Sequence, residues 1–301
     1  MTTNELENAM TIATPPDTRT LDVPGATLTY DVRRREDSTE PPLFLIGSPM
    51  AAAGFVTLAG HFADRTVITY DPRGSERSTK DDPASESTPE EHADDLHRVI
   101  EAVGLKPVDL FASSGGAVNA LMLVQTHPDD VRTLVAHEPP AENLLPDRNA
   151  ARAASRAVHA TYMRSGFGAG MAHFIALVSH RGLFTDDWAL QPPPDPAMFG
   201  LPTEDDGKRD DPLLGQNIET ATEPDLDFDA LRAAGTRVVI GVGAESDGEL
   251  ANRAGKAAAQ RLGVEPVVFP SNHGGFLGGE YGQHGEPAAF AAKLRQVLEE
   301  A

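Results

Sequence analysis

Several short runs along this chain are apolar at nearly every position: "PLFLIG" (42–47), "TVITYD" (66–71), "VDLFAS" (108–113), "TLVAHE" (133–138), "RVVIGVG" (237–243) and "PVVFP" (266–270). A strand with one face in water alternates apolar and polar residues, so unbroken apolar runs predict strands covered on both faces. Helical segments fall between several of them. "STPEEHADDLHRVIEAVG" (87–104) opens with Thr88 as N-cap, Pro89 at the first helical position and Glu91 completing a capping box. Leu96, Val99, Ile100 and Val103 give it an apolar stripe, and Gly104 ends it. "GELANRAGKAAAQRLG" (248–263) and "PAAFAAKLRQVLEE" (287–300) read as further helices. This alternation predicts an α/β fold, with helices on both faces of a mostly parallel sheet.

The rhythm divides the chain. Residues 1–18 are polar and read as a flexible tail. "TRTLDVPGATLTYDVRR" (18–34) alternates on either side of Pro24-Gly25, predicting an antiparallel hairpin. Residues 19–139 and 231–301 form the α/β core, and between them the strand signal stops. Over 140–230 a helical segment (151–184) precedes a Pro- and Asp-rich loop (191–212) and a short helix at "LLGQNIET" (213–220). A helical insertion between two strands is placed to act as a cap over a site at the strand ends. The acidic stretch within 185–212 fits either an ordered lid element or disorder. Phe167, Met171, Phe174, Phe184, Trp188, Met198 and Phe199 supply apolar side chains for the cap's core or its underside.

Composition narrows the functions. With 46 acidic against 25 basic residues the net charge is −21, which argues against nucleic acid or an anionic membrane surface as partner. There is no cysteine, so disulfides, thiol nucleophiles and cysteine-ligated metals are excluded. The opening "MTTNELENAMTIATPPDT" lacks the apolar stretch of a secretory signal, and no run reaches the roughly 18 apolar residues of a membrane span. A cytoplasmic protein acting on a small-molecule substrate is expected; oligomeric state is not legible. No Walker lysine follows a glycine pair, and "GVGAESDG" lacks the third glycine of a dinucleotide site. His92, His97, His173 and His180 lack the spacing of a shared metal site and are expected on the surface or in the lid.

The stretch "DLFASSGGAVNALML" (109–123) carries the chemistry. A serine on a very sharp strand-to-helix turn needs small residues two before and two after it, because those positions face each other closely. Ser113 would have Phe111 and Gly115 there, and phenylalanine does not fit; Ser114 has Ala112 and Gly116, and both fit. Ser114 is therefore the candidate nucleophile. The amide of Gly115, at the start of the following helix, is placed to donate to a developing oxyanion. "FPSNHGGF" sets His273 in a glycine-flanked loop after the last strand, within reach of that serine as general base.

Together "PLFLIGSPM", "YDPRGSERS", "FASSGGA", "AHEPP" and "SNHGGF" resemble the α/β-hydrolase superfamily over roughly residues 20–300. The resemblance implies an eight-stranded sheet, a cap after the sixth strand, and a nucleophile–acid–histidine triad that uses no cofactor and no metal. Two positions depart from the family pattern. Ala112 replaces the usual glycine before the nucleophile, and Ile46-Gly47 stands where His-Gly is usual. Matching Gly47 makes Ser48 the second oxyanion donor; a register one residue on gives Pro49, which has no N–H, and leaves Met50 as the alternative. Arg73 in "DPRGSERS" is expected to anchor structure.

The acid has two candidates. Family members often carry it after the seventh strand in a Gly-x-x-Asp turn, which here reads Gly243-Ala244-Glu245-Ser246, with Asp247 one place late. Some relatives, including certain haloalkane dehalogenases, carry it after the sixth strand, where this chain has Glu138. Glu138 is the favoured acid, because a carboxylate at the end of a buried strand needs a partner and an imidazolium supplies one; Asp247 is the alternative. The resemblance then implies a serine hydrolase of carboxylic esters, lactones or thioesters, with Met50, Phe174, Trp188 and Phe276 as candidate substrate contacts. Carbon–carbon bond hydrolases and cofactor-free haloperoxidases use the same triad. A ligand-binding protein that has lost turnover is the reading from another class.

Overall fold

The structure, a computed structural model, describes residues 15–300. Its principal strands are β1 (Asp17–Val23), β2 (Ala26–Arg33), β3 (Leu43–Ile46), β4 (Val67–Asp71), β5 (Val108–Ser113), β6 (Val131–His137), β7 (Arg237–Gly243) and β8 (Val267–Phe269). They lie in the order β1-β2-β4-β3-β5-β6-β7-β8. The β1–β2 and β2–β4 pairs are antiparallel, and every pair from β4 to β8 is parallel. The hairpin turns at Gly25, whose φ of 75° suits a residue without Cβ. A two-residue strand, Thr79–Lys80, adds to β2 and makes the sheet nine-stranded, not eight. Polar contacts hold it there: the Ser78 hydroxyl accepts from Thr29 N–H and donates to Asp71 C=O, while Arg77 bridges Asp31 and Asp71.

β1 begins two residues inside the stretch read as a tail; residues 1–14 lie outside the described residues. The alternation of β1 extends back to Asp17 because its ladder with β2 does, pairing Asp17 with Val32 and Thr18 with Asp31.

The unbroken apolar runs are explained by burial on both faces. Leu110 and Ala112 of β5 join Phe44, Leu134 and Ile240 in one core, beneath α2 (Pro89–Val103) and α3 (Gly115–Thr126), which follow the short α1 (Val56–Gly60) in the chain. Phe111, between them in sequence, points the other way into a core with Val135, Phe269 and Phe290, the last on the C-terminal helix Pro287–Glu299. The Thr88–Glu91 capping box forms, and Gly104 ends α2 at φ 71°. Arg73 is buried in a two-pronged pair with Asp95 of α2, at 2.7 Å for both contacts, as a structural anchor should be.

Between β6 and β7 the long α4 (Arg148–Val178) kinks at Gly166 (φ 80°, ψ −174°), and a short π-helical turn follows at Pro212–Asn217. Ala154, Val158, Tyr162, Leu177, Phe184, Trp188 and Leu214 form a third apolar cluster here, which also takes in Leu250 and Ala254 from the core. Among the described residues no helix is long and apolar enough to cross a membrane.

Candidate active site

Ser114 sits between β5 and α3 with φ 57° and ψ −130°, a conformation that costs a residue with a side chain on the order of 1–3 kcal/mol. Its surroundings enforce the bend. Ser114 N–H continues the sheet by donating to His137 C=O at 3.0 Å, and Ser114 C=O accepts from Ala117 N–H as the first helical bond. The two glycines that follow are required by the loop after β3. A Cβ on Gly116 would come within 2.7 Å of the Gly47 backbone, and one on Gly115 within 2.7 Å of Ser48 C=O. The elbow and the Gly47–Ser48 segment are thus pressed together. Gly115 opens α3, so its N–H has no partner within the helix.

Glu138 directly follows β6, is fully buried, and has φ 49°. Its Oε1 accepts from Gly243 N–H at 2.9 Å, from Asn252 Nδ2 at 3.1 Å and from the Ser246 hydroxyl. Its Oε2 lies 2.6 Å from His273 Nδ1. Burial alone would raise this carboxyl; the hydrogen bond and charge of His273, with the Ser246 hydroxyl, outweigh it and hold Glu138 well below the usual range. Burial likewise works to lower His273, and the Glu138 hydrogen bond and charge leave it raised instead. The pair is a carboxylate fixing an imidazole at Nδ1, which turns Nε2 outward.

Ser114, His273, Ser48 and Met50 line one cavity of about 450 Å³, closed by Phe174 from α4 and by Phe276, which stacks on Phe55 at 5.3 Å. Among the described residues no hydrogen bond joins Ser114 to His273, a contact that in such sites is often loose until substrate binds. Asp247 lies apart: it is exposed on the surface and paired to Lys256. The turn after β7 carries no acid to the histidine because its serine does different work, with Ser246 orienting the acid that comes from β6.

Trp188 does not line the cavity. It packs inside the helical segment between β6 and β7, stacked on His173 at 5.2 Å and edge-on to Phe184, where its large apolar surface is better buried. Met198 and Phe199 are exposed rather than turned under a lid. His173 and His180 lie in the segment between β6 and β7, beside Trp188 and Phe184, but His92 is not on the surface: it is buried on α2, where its ring meets Asn217, and His97 stacks on His127 at 3.8 Å beside Asp130.

Sequence reading passed over Asn252, one helical turn into the helix after β7, and His137, which precedes the acid. Both ring nitrogens of His137 lack a partner, and it is packed among Phe111, Phe269 and Phe290 with its ring 6.1 Å from that of His273. Burial pushes it down to about 4, so it stays neutral beside the pair. No local pattern marks either residue; the strand register sets His137 against Gly241 and Ser113, and the helix after β7 brings Asn252 to Glu138.

A mostly parallel sheet in this strand order, with a strained serine at the central strand's end, defines an α/β hydrolase architecture. The family model described as alpha/beta hydrolase fold matches residues 43–193, about half the chain, and this protein belongs to that family. It is 31% identical to "Uncharacterized hydrolase YraK" of Bacillus subtilis (strain 168), over 93% of this chain and 95% of that protein. Among solved structures it shares the fold of a hydrolase from Pseudomonas aeruginosa PA01 (TM-score 0.64, 17% identity, 95% and 99% of the two chains). It also shares that of the enol-lactonase from Burkholderia xenovorans LB400 (TM-score 0.62, 17% identity, 93% and 100% of the chains).

Proposed function

We propose that this protein is a serine hydrolase that cleaves a carboxylic ester, lactone or thioester of a small, largely apolar molecule through an acyl-enzyme on Ser114. The observation that carries the reading is the chain of contacts behind the cavity. Three donors fix Glu138, Glu138 fixes His273, and His273 shares the cavity wall with a serine held in a strained bend. The 2.6 Å contact of Glu138 with His273 supports this reading over a ligand-binding protein that has lost turnover.

In this mechanism His273 Nε2 takes the proton of Ser114 as Oγ attacks the substrate carbonyl. The amides of Gly115 and Ser48 hold the oxyanion, each contributing on the order of a hundredfold in rate. Met50, beyond Pro49, is then a wall of the cavity rather than a donor. Collapse of the tetrahedral intermediate expels the alcohol or thiol, which receives the proton from His273. Water, deprotonated by the same imidazole, then attacks the acyl carbonyl and restores the Ser114 hydroxyl. Residues 140–230 act as a cap, supplying Phe174, Leu177 and Ile218 to an apolar wall sized for a small molecule.

A panel of aryl esters of graded chain length, with several lactones and thioesters, tests the reading. The expected result is turnover of at least one class that Ser114→Ala abolishes. Turnover that survives Ser114→Ala contradicts it.

A further inference from the structure

Away from the Ser114 cavity, three side chains from separate elements meet near the surface. His97 stands on α2, His127 is the C-terminal cap of α3, and Asp130 ends the short turn that leads into β6. His97 Nδ1 lies 2.6 Å from Asp130 Oδ2, and the His97 and His127 rings stack at 3.8 Å. Each of the three offers one nitrogen or carboxylate oxygen within 4.8 Å of the other two. Asp130 is buried, whereas both histidines are half-buried and line a surface groove that also carries Asp22, Asp94 and Glu101. Because each member comes from a different element, no spacing within one helix reveals the group.

Two imidazoles and a carboxylate are the donor set of a borderline divalent ion such as Zn²⁺, whose remaining positions then face water. Calcium and magnesium ions ask for oxygen ligands instead. The surrounding charge favours a cation. Arg98 is paired with Asp94 and Lys106 with Glu101, leaving Asp22 and Asp130 to make the groove negative. Lys106 also reaches Asp130, at 3.4 Å, but through Oδ1, so that Oδ2 stays with His97. The last carbonyls of α3 add the negative end of the helix dipole beside His127. Burial and the neighbouring His97 hold His127 below the usual imidazole range, which keeps its ring neutral. The two rings lie 8° from parallel, so their in-plane lone pairs converge once one ring turns. The His127 ring makes no hydrogen bond among the described residues and is free to make that turn.

We propose that His97, His127 and Asp130 bind one borderline divalent metal ion, Zn²⁺ foremost, which clamps α2 to the corner between α3 and β6. The ion displaces the proton shared by His97 Nδ1 and Asp130 Oδ2 and releases it to solvent. None of the three residues lines the Ser114 cavity, and the site is independent of the hydrolase reading.

Titration of the untagged, metal-free protein with Zn²⁺ against a chromophoric chelator tests this, with melting curves alongside. The expected result is one tight equivalent per chain and a melting temperature that rises with Zn²⁺. His127→Ala, whose ring has no hydrogen bond to lose, should weaken binding by about tenfold or more while the metal-free protein still melts cooperatively. His97→Ala should weaken it as much; if that variant does not fold, His127→Ala decides. Glu138 with His137 and His273 is the other cluster of this kind, so His273→Ala is the control and should keep the tight equivalent. Absence of a saturable equivalent overturns the proposal. So does binding undiminished in His127→Ala, a tight equivalent that depends on His273 rather than on His127, or displacement of Zn²⁺ by equimolar Mg²⁺.

Discussion

Glu138 Oε2 stands 2.6 Å from His273 Nδ1 although 135 residues separate them in the chain. The contact joins the end of β6 to the loop after β8 across β7, so the sheet order itself brings carboxylate and imidazole together. The carboxylate cannot swing away, because Gly243, Ser246 and Asn252 hold its other oxygen.

Replacing the acid should therefore be severe. Glu138→Gln keeps the shape but loses the charge that stabilises the imidazolium, and kcat should fall on the order of a thousandfold or more. Asp247→Asn, on an exposed pair with Lys256, should leave kcat within about twofold. Steady-state kinetics on the best ester decides between them; the reverse pattern would move the acid to the loop after β7.

The same pair sets the pH profile. The proposed mechanism needs neutral His273, and its raised pKa means that the proton is held to higher pH than the 6.5 of an ordinary imidazole. The acid limb of kcat/KM should accordingly lie above 6.5, with activity lost as pH falls through it. In Glu138→Gln the residual activity should show that limb displaced downward.

Ser246→Ala removes one of three donors to Glu138 Oε1 without touching the cavity. Loss of a hydrogen bond to a buried carboxylate should cost roughly tenfold in kcat, with KM little changed. Folding is checked by an unaltered melting curve.

Glu142 should give the fold a distinct pH signature. Its carboxyl is raised to about 8 in the folded chain against an ordinary 4.5, so between those values the native state holds a proton that the unfolded chain has lost. Stability from this group is present below 4.5 and is lost as pH rises towards 8. The melting temperature of Glu142→Gln minus that of wild type should therefore grow from pH 5 to pH 8.

Gly116→Ala tests the packing of the elbow. Its Cβ would meet the Gly47 backbone at 2.7 Å, and backbone cannot step aside. A loss of about 1–3 kcal/mol in chemical denaturation is expected, together with reduced turnover.

Much of this was legible in the sequence because it is local or periodic. The apolar runs gave the sheet, the Thr88–Glu91 pair the start of α2, and the small residues flanking Ser114 the elbow. What escaped was what strand order creates. The anchors Ser246 and Asn252 follow a different strand from the acid they hold, and His137 is set beside the pair only by its neighbours in the sheet. Trp188 misled for a related reason, since an aromatic in a helical insertion can face its own core or a ligand, and periodicity does not distinguish the two. The Thr79–Lys80 strand is pinned by Ser78 and Arg77, polar contacts with no apolar run to announce them.

The most direct test is to treat the protein with a fluorophosphonate, measure its intact mass and map the modified peptide. The account predicts one adduct, on Ser114, absent in Ser114→Ala and formed far more slowly in His273→Ala. Failure to label an otherwise folded protein, or an adduct that persists in Ser114→Ala, would contradict it.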